Sequence, residues 1–152
     1  MFVYTDGSLI KGNKQNKCGY GIHFSDKEIS DIYGKFTISP ITNNRAELYA
    51  IYIALKITSV ITKYNKITVF TDSEYCMKSI TIWINKWKQN NWKNAKGKSV
   101  ENQDIIKKID KYLQKYPTKY IIQWLPSHTG QNDVHSIGNS IADKLAKQGA
   151  LL

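Results

Sequence analysis

The chain has 152 residues, of which 41% are hydrophobic and 22% charged, and this suits one globular domain, which we expect over residues 1–152. Its 22 Lys and Arg against 12 Asp and Glu give a formal net charge of +10, which favours a polyanion such as nucleic acid as the partner. Two cysteines are too few for a disulfide framework, so we expect a reducing intracellular compartment, either cytoplasm or nucleus. Charges interrupt the longest apolar stretch and strand-like sequence begins at residue 2, so we expect neither a membrane span nor a signal peptide.

The predicted elements begin with an antiparallel meander. Residues 1–8 form an apolar strand, and residues 18–26 and 31–38 alternate as strands do. Residues 43–61 are apolar on most sides, which predicts a buried helix capped by Thr42, Asn43 or Asn44. The next strand, residues 66–72, is reached through this helix, so it should lie parallel to the first strand.

The second half of the chain alternates between helices and one more strand. It is predicted to be helical from Asp72 to about residue 89, to loop through 90–101 and to form a helix over 102–115. A fifth strand over 119–125 and a last helix over 137–149 follow. The predicted fold class is therefore α/β, with a mixed five-stranded sheet flanked by helices.

Two strands end in an aspartate, Asp6 in VYTDGS and Asp72 in VFTDSE. In open α/β sheets, ligands bind beyond the carboxyl ends of parallel strands, and side-chain alternation lets these two carboxylates converge. Two anions held close together resist ionisation unless a cation lies between them. Oxygen ligands without nearby Cys or His favour Mg²⁺, with Mn²⁺ as a substitute.

Two further acids fit the same sheet edge. Glu47 lies among apolar residues in the first turns of the predicted buried helix, and Asp143 lies at the edge of the apolar stripe of the last helix. Each acid also has an ordinary structural explanation. Asp6 could be a turn residue, Asp72 a helix cap, Glu47 a partner of the helix dipole and Asp143 a solvated helix residue. The functional interpretation depends on four acids meeting in a chain that is otherwise basic.

Five segments, in this order, resemble the type 1 ribonuclease H family: YTDGS at 4–8, TNNRAEL at 42–48, FTDS at 70–73, WLPSHTG at 124–130 and GNSIADKLA at 138–146. The resemblance implies a ribonuclease H-like fold and an endonuclease that cuts the RNA strand of RNA–DNA hybrids, leaving 5′-phosphate and 3′-hydroxyl ends. It implies that Asp6, Glu47, Asp72 and Asp143 hold two Mg²⁺ ions at the scissile phosphate, with Asp6 shared between them.

The resemblance also assigns a loop histidine to proton transfer or product release. His128 matches it, and an ordinary imidazole pKa near 6.5 suits either task. The interval from His128 to Asp143 is longer here than in the family pattern, and the extra residues, within QNDVHSIG, bring His135 as a rival. The flanking residues favour His128.

Residues 83–98, WINKWKQNNWKNAKGK, interleave tryptophans with lysines and resemble the basic protrusion with which the family grips the DNA strand. We refer to them as the basic protrusion. Its predicted substrate contacts are Trp83, Trp87, Lys88 and Trp92. The alternative is that one or more of these tryptophans belongs to the core.

Further substrate contacts are implied by the resemblance alone. They are minor-groove contacts by Asn43 and Asn44, 2′-hydroxyl contacts near Gly7 and Ser8, a contact by Ser73, and a DNA phosphate pocket at Thr42 and Asn102. An arginine that some members place in this pocket falls at Pro40. We expect a monomer without a separate hybrid-binding domain. The alternatives are a non-catalytic nucleic-acid-binding module and a DNA nuclease or integrase of the same fold.

Overall fold

The computed structural model describes residues 1–152 and contains one mixed five-stranded sheet of order β3-β2-β1-β4-β5. The strands are β1 (Phe2–Ile10), β2 (Lys17–Phe24), β3 (Ile32–Phe36), β4 (Ile67–Thr71) and β5 (Tyr120–Trp124). β1, β2 and β3 pair antiparallel, whereas β4 pairs parallel with both β1 and β5. The predicted fold class, the meander and the parallel crossover are confirmed.

The helices flank this sheet. They are α1 (Asn43–Ser59), α2 (Glu74–Lys78), α3 (Ile84–Gln89), α4 (Gln103–Lys115) and α5 (Val134–Ala150). The helical stretch predicted up to residue 89 is interrupted by a π-helical turn, Ser79–Trp83, between α2 and α3. α5 begins three residues earlier than predicted, because the Asp133 side chain accepts a hydrogen bond from the Ser136 amide and caps it there.

The two faces of β1 meet different helices. Val3 belongs to the main core, which α1 and α4 complete with residues such as Ile51 and Ile106. Tyr4 on the opposite face joins Phe70 and α5 in a smaller apolar cluster. α1 and α5 therefore hold the sheet between them, and each carries a predicted acid. None of the helices is both long and apolar enough to cross a membrane.

Candidate active site

Three of the four predicted acids meet at one end of the sheet. Thr5 of β1 pairs with Thr71 of β4, so Asp6 and Asp72 follow at adjacent positions. α1 supplies Glu47, and one carboxylate oxygen from each of the three acids lies within 4.8 Å of the others. Asp6 and Glu47 are only 3% and 5% exposed.

Gly7 explains how α1 comes so close to β1. It is buried against α1, and a Cβ added to it would lie 2.5 Å from the backbone nitrogen of Glu47. Its amide donates a hydrogen bond to Oδ1 of Asp6 at 2.9 Å. Gly7, predicted as a backbone contact for substrate, thus has a packing role that brings Glu47 to Asp6, whereas Ser8 after it is half-buried.

The surroundings of the three carboxyl groups disfavour their ionisation. Burial, and then the Asp72 carboxylate, raise the pKa of Asp6 from 3.8 to about 8. Burial and the charges of Asp6 and Asp72 hold the pKa of Glu47 well above its ordinary value. Burial also raises the pKa of Asp72, although a hydrogen bond from Asn139 opposes this. The second carboxylate oxygen of Glu47, Oε2, is buried without a hydrogen-bond partner.

This donor set fits a divalent cation. The three groups offer only carboxylate oxygens, which hard cations such as Mg²⁺ and Mn²⁺ prefer. A cation among them would stabilise the ionised carboxylates and give the orphaned Glu47 oxygen a partner.

Asp143 lies at the margin of the cluster rather than within it. Its carboxylate contributes to the raised pKa of both Asp6 and Asp72, so it is close to them. It is not one of the three groups within 4.8 Å of one another, and its Oδ2 lies 3.0 Å from Nζ of Lys147. Three of the four predicted acids therefore share the cluster, and Asp143 adjoins it while its Oδ2 also pairs with Lys147.

The two histidines occupy different surroundings. His128 is exposed on the loop between β5 and α5, lines a cavity of about 510 Å³ together with Asp143, and lowers the pKa of Asp72 by its proximity. His135 does not line that cavity; its Nδ1 lies 2.9 Å from the hydroxyl of Tyr4. The geometry therefore favours His128 over its rival at the site.

Two residues near the site were missed in the sequence. Asn139 is buried, and its side-chain amide donates a hydrogen bond to Oδ2 of Asp72 at 3.4 Å. It precedes Asp143 by one helical turn, so the spacing within GNSIADKLA could have placed both on one face. Arg45 is buried and forms two 2.8 Å hydrogen bonds to Asp104, which ties the start of α1 to α4.

The basic protrusion carries a row of three tryptophans. Successive ring centroids of Trp83, Trp87 and Trp92 are 6.1 and 6.3 Å apart, and Trp83 is 40% exposed. A groove of about 540 Å³ runs along Trp83 and Trp87 and is lined in part by Lys86 and Lys93. Trp87 and Trp92 are half-buried against the core, as the alternative interpretation allowed.

Lys88 differs from the other lysines of the basic protrusion. Its Nζ lies 2.7 Å from Oδ2 of Asp110 on α4, so its charge is already partnered within the chain. This pairing weakens the prediction that Lys88 contacts substrate, and it anchors the basic protrusion to α4.

The remaining predicted contacts surround the starts of three helices. Thr42 caps α1 by accepting a hydrogen bond from the Arg45 amide, and Asn43 and Asn44 are exposed beside it. Ser73 caps α2 in the same way, by accepting a hydrogen bond from the Cys76 amide.

Asn102 precedes α4 with a positive φ of 64°. Its side chain donates a hydrogen bond to the Tyr75 hydroxyl at 2.8 Å and accepts one from Nη1 of Arg45 at 3.4 Å. Pro40 lies in the loop before Thr42, where the carbonyl of Ser39 accepts a hydrogen bond from Nη2 of Arg45.

Comparisons with known proteins agree on one family. A family model described as RNase H matches residues 1–151. Ribonuclease HI of Haemophilus influenzae is 35% identical over 148 residues, covering 97% of this chain and 88% of that protein. A probable ribonuclease H of Acanthamoeba polyphaga mimivirus is 38% identical over 134 residues, covering 87% and 58%.

Solved structures are similar over the whole chain. The solution structure of the PFV RNase H domain has a TM-score of 0.82 and 31% identity, and the match covers 99% of this chain and 93% of that one. The foamy viral protease-reverse transcriptase in complex with RNA/DNA hybrid also has a TM-score of 0.82, with 28% identity, over 98% of this chain and 20% of that one.

Proposed function

This chain belongs to the RNase H family and is a ribonuclease H, and from this premise we propose that it hydrolyses the RNA strand of RNA–DNA hybrids to give 5′-phosphate and 3′-hydroxyl ends. The observation that carries the proposal is the cluster of Asp6, Glu47 and Asp72, three carboxylates within 4.8 Å in a chain with a net charge of +10. A non-catalytic module would have no use for it, because free anions repel a polyanionic substrate.

Asp6, Glu47 and Asp72 are proposed to hold two Mg²⁺ ions, with Asp143 completing the set and Mn²⁺ as a substitute. Bound there, the ions would activate a water molecule and stabilise the leaving 3′ oxygen. The carboxylates must remain ionised and fixed in place. The Gly7 amide supports this at Asp6 by donating a hydrogen bond to Oδ1, and the Asn139 side chain supports it at Asp72 by donating a hydrogen bond to Oδ2. The protein supplies no covalent nucleophile.

His128 is proposed to move protons at the site or to assist product release. It lines the same cavity as Asp143, and nothing in the chain covers its exposed side chain. An imidazole can both accept and donate a proton, which suits either task.

Substrate binding is proposed to use the basic protrusion on one side and the α1 start on the other. Lys86 and Lys93 would meet phosphates of the DNA strand while Trp83 packs on sugars or bases. Asn43 and Asn44, exposed before the acid on α1, would read the wide minor groove of the hybrid. The foamy viral relative captured with an RNA/DNA hybrid supports this class of substrate.

We further propose that residues 1–152 act as one catalytic domain and as a monomer in a reducing compartment, cytoplasm or nucleus. Both thiols, Cys18 and Cys76, are free and buried, which is consistent with a chain that needs no disulfide.

The decisive experiment offers an end-labelled RNA–DNA hybrid to the protein with Mg²⁺, with Mn²⁺ and with chelator. Cleavage of the RNA strand should require a divalent ion, and Asp72→Asn should abolish it while leaving the protein folded. A matched control is Glu101→Gln, which removes an exposed acid outside the cluster. Cutting in chelator, or full activity in Asp72→Asn, would refute the proposal.

The same assay separates the alternatives. A DNA duplex of the same sequence should stay intact; its cleavage would favour a DNA nuclease of the same fold. Tight, salt-sensitive binding of hybrid without any turnover would favour a binding module instead.

A further inference from the structure

The hydrogen bond between Tyr4 and His135 has no part in the function proposed so far. Tyr4 is 1% exposed, and its hydroxyl lies 2.9 Å from Nδ1 of His135. The Tyr4 ring stacks on Phe70 with centroids 5.1 Å apart, and the His135 ring lies 4.5 Å from Phe70 and 4.9 Å from Phe2. A buried hydroxyl with a specific partner in an aromatic cluster fixes one relative placement of the two elements that carry it.

One of these elements is the first turn of α5, which is joined to the loop that carries His128. Oγ1 of Thr129 donates a hydrogen bond to Oγ of Ser136 at 3.1 Å, and Asp133 caps the helix through the Ser136 amide. Thr129 follows His128, and Ser136 follows His135. The placement of the loop histidine is thus linked to the first turn of α5 through neighbouring residues.

The other element is β1, which carries Asp6. Tyr4 precedes Asp6 by two positions and lies on the same face of the strand. α5 lies directly against the tyrosine, since a Cβ added to Gly138 would come within 2.5 Å of its ring. One turn beyond His135, Asn139 donates its hydrogen bond to Asp72.

We propose that His135 is a positioning residue for this ribonuclease H. Its hydrogen bond to Tyr4 fixes the position of α5 and of the His128 loop relative to the strand that carries Asp6. The inference rests on the proposed function of the site. His135 thus acts without touching substrate, by holding His128 close to the carboxylates.

The test compares three variants with the wild type. Tyr4→Phe removes only the hydroxyl, His135→Phe keeps an aromatic ring without the hydrogen-bonding nitrogen, and His135→Asn keeps a polar atom near the Nδ1 position. The first two should lower kcat on a labelled hybrid by roughly three- to tenfold, the range that one hydrogen bond spans, with KM changed by less than about twofold. His135→Asn should recover part of the loss, and Tyr4→Phe/His135→Phe should be no slower than either single variant.

A second readout does not depend on activity. Amide hydrogen exchange in residues 127–137 should be roughly tenfold faster in Tyr4→Phe, with no change in α1. Tyr33→Phe is the matched control, since that hydroxyl sits on β3 in a side chain that is 46% exposed, and it should change neither readout.

The outcomes separate the two proposals. If the wild type cleaves no hybrid, the proposed function fails, while hydrogen exchange still decides whether the Tyr4–His135 bond holds the loop. Unchanged exchange in residues 127–137, unchanged kcat in a folded Tyr4→Phe, or additive losses in the double variant would each overturn the positioning role.

Discussion

Asp6 is a carboxyl group whose burial opposes the charge that its proposed task requires. Its pKa of about 8 in the absence of an ion, together with the raised pKa values of Glu47 and Asp72, means that the folded chain stores repulsion at the end of the sheet. A bound cation would release this repulsion. Function and stability therefore conflict at this residue, and the ion is what would reconcile them.

The first prediction concerns the pH dependence of the metal-free protein. The folded state keeps the Asp6 proton up to about pH 8, whereas the unfolded chain loses it near 3.8, so the free energy of unfolding should fall as pH rises through this window. The loss should be on the order of a few kcal/mol. Urea unfolding in chelator at a series of pH values measures it, and Mg²⁺ should restore stability at high pH.

Two variants test the origin of that slope. Asp6→Asn should reduce the pH dependence and be more stable than the wild type at pH 8 in chelator, whereas Glu101→Gln, outside the cluster, should retain the full slope. A wild-type protein equally stable at both ends of the window would show that the carboxylates do not repel as described.

At the scale of elements, the contact between β1 and α1 sets the separation of Asp6 and Glu47. Gly7→Ala should push the first turns of α1 away, because the new methyl group would meet backbone atoms of Ala46 and Glu47. We expect a loss of about 1–3 kcal/mol in stability and weaker Mg²⁺ binding. Urea unfolding and calorimetric titration of Mg²⁺ measure the two effects.

Gly97→Ala is the contrasting variant. Gly97 has a φ of +79° but no atom within 4 Å of an added Cβ, so only backbone strain of about 1 kcal/mol is expected. Its Mg²⁺ affinity should equal that of the wild type. Wild-type affinity in Gly7→Ala would instead mean that this contact does not govern the cluster.

The basic protrusion gives a matched pair of lysines. Lys86 lines the tryptophan groove, whereas Lys88 is paired with Asp110. Lys86→Gln should raise KM for the hybrid several-fold at low salt with little change in kcat, and Lys88→Gln should raise it less but lower the stability of the segment. Steady-state kinetics and thermal unfolding distinguish them; a larger KM effect for Lys88 would show that Asp110 releases it to substrate.

The sequence predicted the helices and strands better than it predicted the pairings between their side chains. Alternating strands and the apolar α1 carry strong periodic signals, so the meander, the parallel crossover and the convergence of Asp6 and Asp72 followed from topology rules. The earlier start of α5 was missed because its capping residue, Asp133, lies within the segment QNDVHSIG, which departs from the family pattern.

Pairings between distant side chains carry no local signal at all. Lys88 and Asp110 are far apart in the sequence, and only the tertiary fold brings them together. Asp143 and Lys147, in contrast, are four residues apart on one helix, a spacing at which an ion pair could have been anticipated.

At the scale of the whole molecule, the net charge of +10 should dominate substrate capture. The logarithm of KM for the hybrid should rise linearly with the logarithm of the salt concentration, with a slope that reflects the number of phosphates neutralised. Kinetics from low to moderate KCl measure the slope, and the Lys86→Gln/Lys93→Gln variant should reduce it by roughly one per lysine. A KM independent of salt would separate the basic surface from hybrid binding.

The position of β1 has a consequence for the nascent polypeptide. β1 lies at the centre of the sheet, between β2 and β4, although it precedes both in the chain. On the ribosome the meander can pair early, but the other edge of β1 must wait until Thr71 has been translated, which takes seconds at ~5–20 residues per second. During that interval the β4-facing edge of β1, Phe2–Thr5, is an open strand edge with which another emerging copy can pair.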